Sequence, residues 1–142
     1  MTLQDWLDED GRKTGRPDWN IYFLDIADAV ALRADCTRRS VGAVIVGADR
    51  RIVSTGYNGG APGSSSCLKG ECPRGKLTYD QIAPNSSYDT GPGACIAVHA
   101  EQNAIIHADW ARCQGATMFI SQPPCEGCMK MIAGAGMRYR HR

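Results

Sequence analysis

Apolar residues near the start of the chain repeat at helical spacing. They follow a polar leader over residues 1–16 and lie at Trp19, Tyr22, Phe23, Ile26, Val30 and Ala31. Pro17 and Asp18 stand just before them, and both residue types are favoured where a helix begins. The pattern predicts a helix that runs to about Ala34 and that buries its aromatic side chains in the core.

Two runs rich in β-branched residues, 41–47 and 51–57, are separated by Ala48-Asp49-Arg50. Such runs around a short polar break predict a β-hairpin. The other predicted elements are a third strand near residues 116–121, the start of a fourth at 137–139, and helices at 99–110 and from Cys125 to about Ala135.

Residues 58–94 show no periodicity and are rich in Gly, Pro and Ser. An irregular segment of this length is uncommon inside a compact domain, so it needs an anchor or a function. The chain has 142 residues, which predicts a single domain over 1–142 that includes this long loop.

The charge balance does not indicate a polyanionic partner. Lys and Arg number 16 against 15 Asp and Glu, and the basic residues are scattered apart from the final 138–142. We therefore expect no nucleic-acid partner. The acidic first residues lack the apolar stretch of a secretion signal, and no run is long enough to span a membrane. These features predict a cytoplasmic protein with reduced thiols.

The residue types of a catalytic zinc site occur in two short motifs. His99-Ala100-Glu101 is followed downstream by Pro124-Cys125-Glu126-Gly127-Cys128. One imidazole and two thiolates from His99, Cys125 and Cys128 would leave the fourth zinc position open to water. Glu101 would carry protons and would not bind the metal. The Cys-x-x-Cys motif alone fits a structural zinc knuckle or a redox dithiol, but the upstream histidine and glutamate favour a deaminase.

Four further cysteines raise the possibility of a second metal. Cys36 precedes the first predicted strand, Cys67 and Cys72 lie in the long segment, and Cys95 lies just before His99. Four thiolates would form a closed structural zinc site that anchors the segment. The alternative is that these cysteines are small buried apolar side chains. Cys113 has no predicted partner.

Five stretches together resemble the deoxycytidylate (dCMP) deaminases of the zinc-dependent cytidine and deoxycytidylate deaminase family. They are residues 36–43, Gly56-Tyr57-Asn58-Gly59, the Cys67 and Cys72 pair, residues 95–104, and residues 124–128. The resemblance implies an α/β fold with three α/β/α layers around a mixed sheet. Relatives continue past the position of Arg142 through another strand and usually a helix, so the resemblance implies either that these elements are trimmed from the fold or that an end of the chain is missing here.

The same resemblance implies hydrolysis of dCMP, or of a 5-substituted dCMP, to dUMP and ammonia. It assigns His99, Cys125 and Cys128 to zinc and Glu101 to proton transfer. Asn58 would contact the sugar, and the backbone of Ser121 would contact the departing amino group. Members are often homo-hexamers that dCTP activates and dTTP inhibits, although no regulatory residue is assigned here.

The phosphate of such a substrate needs cations or backbone donors. Arg38 and Arg39 are the first candidates and Arg74 and Lys76 the next, with ordinary surface charge as the alternative. Val98 or Tyr57 would pack against the base.

Two other functions fit the same motifs. One is a tRNA-adenosine or nucleic-acid cytosine deaminase, which a continuous basic face would favour. The other is a catalytically silent, zinc-stabilised assembly module, which would not need Glu101.

Overall fold

A mixed β-sheet forms the centre of the protein. The computed structural model describes residues 2–91 and 93–142, so that Met1 of the predicted leader and Pro92 of the predicted long loop lie outside the described residues. In the described part the strands are β1 (Gly42–Val46), β2 (Ile52–Tyr57), β3 (Thr117–Ile120) and β4 (Arg138–His141), in the order β2-β1-β3-β4. β1 pairs antiparallel with β2 and β3, whereas β3 and β4 are parallel.

The predicted hairpin is present. The N–H of Gly47 donates to the carbonyl of Arg51 at 2.9 Å, and the N–H of Arg50 donates to the carbonyl of Gly47 at 2.9 Å. The Asp49 carboxylate accepts from the Arg51 N–H at 3.1 Å, which closes the polar turn that separates the two strands.

Helix α1 (Trp19–Ala31) covers one face of the sheet. The Asp18 carboxylate caps it by accepting from the N–H of Ile21 at 2.9 Å. Phe23 and Ala27 are buried against Val44, Val46 and Phe119. Trp19 and Tyr22 are 47% and 44% exposed, so the prediction that the aromatic residues of this helix lie in the core holds for Phe23 but is wrong for these two.

Helix α1 also ends earlier than predicted. Residues 32–34 donate to carbonyls three residues back, and this tighter hydrogen-bond pattern ends the α-helix at Ala31.

The opposite face of the sheet is covered by helices α2 (Ala100–Ile106) and α4 (Glu126–Gly134). Side chains of alternate residues along β1 point to opposite faces, so Ala43 and Ile45 belong to a second core cluster. Other members of that cluster include Ala100, Ala104, Met118, Ile120 and Ile132. The three-layer α/β/α arrangement with a mixed sheet is therefore confirmed.

Glycine lets helix α2 lie directly on β2. A Cβ atom on Gly56 would lie 2.3 Å from the carbonyl oxygen of Ala100 and 2.4 Å from the nitrogen of Ala104. No side chain fits in that space, and the close approach sets the position of the first turn of α2 over the sheet.

The helix predicted over residues 99–110 is two helices. α2 ends at Ile106, and α3 (Trp110–Cys113) starts after Asp109, whose carboxylate accepts from the N–H of Ala111 at 3.1 Å. This capping contact begins a new helix where the sequence pattern suggests continuation. Cys113 is 1% exposed and belongs to the core.

The long segment predicted over 58–94 is mostly irregular. Its described part contains a short 3-10 helix, Tyr79–Gln81, and Gly59 pairs with Val98 as an isolated antiparallel bridge. The leader contains a 3-10 helix, Leu3–Trp6, and a bridge between Leu7 and Lys13. Within the described ranges, none of the helices has the length and apolar character needed to cross a bilayer.

Candidate metal centre and active site

His99, Cys125 and Cys128 meet where helices α2 and α4 begin. His99 is the N-cap residue of α2, and Cys125 is the N-cap residue of α4. The Nδ1 atom of His99 lies 3.5 Å from Sγ of Cys125 and 3.3 Å from Sγ of Cys128. Among the residues the structure describes, this is the one group of three or more potential ligands whose atoms all lie within 4.8 Å of one another.

The donor set fits zinc. Ligands at tetrahedral angles with Zn–S near 2.3 Å and Zn–N near 2.0–2.1 Å lie about 3.5–3.8 Å apart, close to the spacings found here. Burial raises the pKa of the Cys128 thiol, and the Glu101 carboxylate raises it further. A thiol in such a place needs a cation to become a thiolate, and a divalent metal would supply it.

Glu101 lies beside this group and is 5% exposed. Its Oε2 atom is 3.7 Å from Sγ of Cys128, in the first turn of α2. A buried carboxylate next to a metal site can accept and release protons without binding the metal.

The metal group opens into a cleft of about 820 Å³, part of which is open to solvent. His99, Glu101 and Cys125 are among its lining residues. The other lining residues that bear on function are Arg38, Arg39, Asn58, Arg74, Tyr88 and the four cysteines Cys36, Cys67, Cys72 and Cys95.

Three arginines face this cleft without a carboxylate partner in the described part of the chain. Arg38 donates to the carbonyls of Arg74 and Leu77, and Arg39 donates to the amide oxygen of Gln122 at 2.8 Å. Arg74 is 7% exposed, and its Nε, like that of Arg38, is buried with no hydrogen-bond partner among described residues. The cleft is therefore suited to an anion.

The family model described as "Cytidine and deoxycytidylate deaminase zinc-binding region" matches residues 17–139. The chain belongs to this family. It is 45% identical over 122 residues to the deoxycytidylate deaminase of Mycobacterium phage D29, and the match covers 86% of this chain and 91% of the phage protein. It is 34% identical to the deoxycytidylate deaminase of Schizosaccharomyces pombe, of which it spans 36% while 87% of this chain is matched.

Solved structures of deoxycytidylate deaminase have a similar fold. The cyanophage S-TIM5 enzyme in complex with dCMP and dUMP superposes with a TM-score of 0.62 at 27% identity. The match covers 89% of this chain and 84% of that chain.

Asn58, assigned to the sugar by resemblance to the deaminase family, lines the cleft and is 8% exposed. Its Oδ1 accepts from the N–H of Val41 at 2.9 Å, and its Nδ2 donates to the carbonyl of Arg39 at 3.0 Å. The side chain thus connects the end of β2 to the segment that carries Arg39. One amide hydrogen remains for a ligand.

Three other residues predicted to contact substrate in this deaminase are not among the lining residues that the structure describes. Tyr57 is 36% exposed, because its position on β2 points away from the core, and the guanidinium of Arg33 lies 5.9 Å from its ring. Val98 is held through its backbone by Gly59. Ser121 accepts from the N–H of Gly42 at 2.9 Å and fastens β3 to β1.

The four cysteines of the predicted second zinc site border the same cleft. Sγ of Cys72 and Sγ of Cys95 are 3.8 Å apart, but no three of the four sulfurs lie within 4.8 Å of one another. Burial raises the pKa of Cys95 to about 11. Burial also acts on Cys72, but hydrogen bonds from the backbone N–H groups of Ile96 and Gly75 lower its pKa. The four thiols therefore border one cleft, but their sulfurs are too far apart in this structure to form a metal site.

Two residues at or beside this site were not identified from the sequence. Tyr88 and Asp89 lie in the irregular segment, where no periodicity or motif spacing distinguishes them from their neighbours. Tyr88 lines the cleft, and Asp89 contacts His99.

Proposed function

We propose that this protein is a zinc-dependent deaminase that hydrolyses dCMP, or a 5-substituted dCMP, to dUMP and ammonia. The observation that carries the proposal is the buried Glu101 beside the His99, Cys125 and Cys128 group in an arginine-lined cleft. The name of the phage D29 relative and the dCMP and dUMP bound to the S-TIM5 enzyme support the choice of substrate.

His99, Cys125 and Cys128 would hold zinc, which when bound makes water a stronger acid and so a better source of nucleophile. Glu101 accepts a proton from the attacking water. It delivers that proton to the ring nitrogen as the C–O bond forms. It then carries the remaining proton of the added hydroxyl to the amino group, so that the C–N bond breaks, the carbonyl forms and ammonia leaves. Burial of Glu101 limits its contact with bulk water and keeps the proton within the site.

The arginines would bind the phosphate of the substrate. Arg38 and Arg39 flank the cleft and Arg74 lies buried in its wall, and the described part of the chain gives none of them a carboxylate partner. Phosphate oxygens are acceptors that match guanidinium donors. Binding energy from the phosphate would then position the base over the metal group.

Ammonia release from a panel of substrates tests this proposal. We expect dCMP to exceed deoxycytidine in kcat/KM by a factor of about 10² or more, because the nucleoside lacks the phosphate that the arginines bind. The rate with CMP measures whether the enzyme accepts a ribose sugar. The rates with dCTP and 5-hydroxymethyl-dCMP measure whether it accepts additional phosphates and a substituent on the base.

Equal kcat/KM for dCMP and deoxycytidine would refute the phosphate assignment. Deamination of adenosine in RNA in place of dCMP would indicate a nucleic-acid deaminase. No turnover of any substrate by the zinc-loaded protein would support a silent assembly module.

We also propose a cytoplasmic location, a homo-oligomer such as a hexamer, and control by dCTP and dTTP. The location is supported by the seven cysteines, none of which forms a disulfide in the structure. The other two proposals rest on the family resemblance. Light scattering would give the assembly size, and rates with added dCTP or dTTP would test control.

A further inference from the structure

Both ring nitrogens of His99 have a partner. Nδ1 faces the sulfurs of Cys125 and Cys128, as described above, while Nε2 lies 2.9 Å from Oδ1 of Asp89. Asp89 stands ten residues before His99 in the irregular segment, and none of the metal-site motifs includes it. The His99 side chain is 24% exposed and that of Asp89 is 61% exposed, so solvent reaches both members of the pair.

Local hydrogen bonds hold Asp89 in this position. Its N–H donates to Oγ of Ser87 at 3.1 Å. The carbonyl of Tyr88, next to it, accepts from the N–H of Cys95 at 2.6 Å. Asp89 is therefore part of a turn whose two ends are tied together close to the metal group.

The buried Arg74 anchors that turn. One of its terminal nitrogens donates to Oγ of Ser86 at 3.1 Å, to the carbonyl of Ser87 at 3.2 Å and to that of Gly93 at 3.4 Å. The guanidinium carbon also lies 4.3 Å from the centre of the Tyr88 ring. One buried cation thus binds both sides of the turn that presents Asp89.

We propose that Asp89 is a positioning residue for the metal centre. Its carboxylate accepts a hydrogen bond from Nε2–H of His99, which leaves the lone pair of Nδ1 directed at the metal. A carboxylate partner on the second nitrogen of a ligating histidine fixes the tautomer and the ring orientation, and makes the ligand more basic. This inference rests on the proposed function, because it requires His99 to bind zinc. It also assigns a purpose to the long segment, which delivers an orienting carboxylate to the site.

Zinc affinity tests the proposal without relying on activity. Competition with a fluorescent zinc chelator would measure the dissociation constant of the protein and of three variants. We expect Asp89→Ala to bind zinc about 10–100-fold more weakly than the parent protein. Asp89→Asn should lose less zinc affinity, because its amide oxygen can still accept a hydrogen bond from Nε2–H of His99. Asp80→Ala is the matched control, since Asp80 is an exposed acid in the same segment with no ion pair in the described part of the chain.

A second readout is the visible absorption spectrum of the protein with Co²⁺ in place of zinc. A change in ring orientation at His99 alters the ligand field, so Asp89→Ala should shift the bands while Asp80→Ala should not. If Asp89→Ala does not fold, as judged by circular dichroism, Asp89→Asn gives the decisive comparison with the parent protein.

Wild-type zinc affinity and an unshifted cobalt spectrum in the folded Asp89 variants would overturn the proposal. An equal loss of affinity in Asp80→Ala would also overturn it, because the effect would then be one of general charge. Failure of the proposed function has a different signature. In that case the zinc-loaded parent protein would release no ammonia from dCMP while Asp89→Ala still bound zinc more weakly. A wrong ligand assignment would instead leave the zinc stoichiometry of His99→Ala unchanged.

Discussion

Replacing Asn58 by alanine should weaken the fold as well as the active site. The mutation removes the acceptor of the Val41 N–H and the donor to the Arg39 carbonyl. Val41 is 8% exposed, so its N–H would lose its partner in a buried place, at a cost of about 1–3 kcal/mol. Arg39 is exposed and water can replace the lost donor, so this second loss should cost about 0.5–1.5 kcal/mol.

Together these terms predict a decrease of about 1.5–4.5 kcal/mol in the free energy of unfolding. Urea denaturation of the zinc-loaded protein, followed by circular dichroism, measures this quantity. Asn20→Ala is the control, since Asn20 is exposed in the first turn of α1, and we expect it to change the free energy of unfolding by less than about 0.5 kcal/mol.

The same variant tests the predicted sugar contact. The assay is run at a temperature where the parent protein and Asn58→Ala are both fully folded. We expect Asn58→Ala to lower kcat/KM for dCMP by an amount equivalent to about 2–4 kcal/mol of lost transition-state stabilisation. If Asn58→Ala and Asn20→Ala had the same free energy of unfolding, the stabilising role of the Asn58 hydrogen bonds would be refuted. An unchanged kcat/KM would refute the contact with substrate.

Three further predictions concern the metal sites and the layer that supports them. Glu101→Gln should keep zinc and fold but lower kcat by about 10²–10⁴, because the amide cannot carry the proton, and near-normal kcat in the zinc-loaded variant would contradict the mechanism. The sulfurs of Cys36, Cys67, Cys72 and Cys95 would have to move together to bind a second zinc. If they do, metal analysis will find two zinc ions per chain and one in Cys72→Ser, whereas a single zinc in the fully active parent would exclude the second site. Gly56→Ala should lower both the melting temperature and the zinc content of the protein, because the added Cβ would lie 2.3 Å from the carbonyl oxygen of Ala100. A melting curve identical to that of the wild type would instead show that α2 can move away from β2 at little cost in stability.

Local patterns were enough to predict most of the scaffold. The hairpin of β1 and β2 followed from two β-rich runs around Ala48-Asp49-Arg50, and the start of α4 followed from Pro124 and the helical spacing of Cys125 and Cys128. These signals are local because periodicity and turn chemistry act between residues a few positions apart. The boundary between α2 and α3 escaped prediction, because the Asp109 carboxylate can cap a new helix only if the chain turns there.

Part of the metal site could also be predicted from residues close together in the sequence. His99 and Glu101 are two residues apart, and Cys125 and Cys128 occupy one helical turn, so their spacing alone indicated a zinc centre. The meeting of the two motifs depends on the sheet, which places the first turns of α2 and α4 side by side.

Only the tertiary structure showed what the irregular segment contributes. Arg74 is buried, the turn at Tyr88 closes around it, and Asp89 reaches Nε2 of His99. The side chain of Asn58 likewise forms hydrogen bonds with backbone groups that precede it by 17 and 19 residues. The sequence determined which residues could bind a metal, because that chemistry belongs to residue type and short spacing. The fold decided which side chains orient and surround the metal, because contacts made by an aperiodic segment depend on where the whole chain places it.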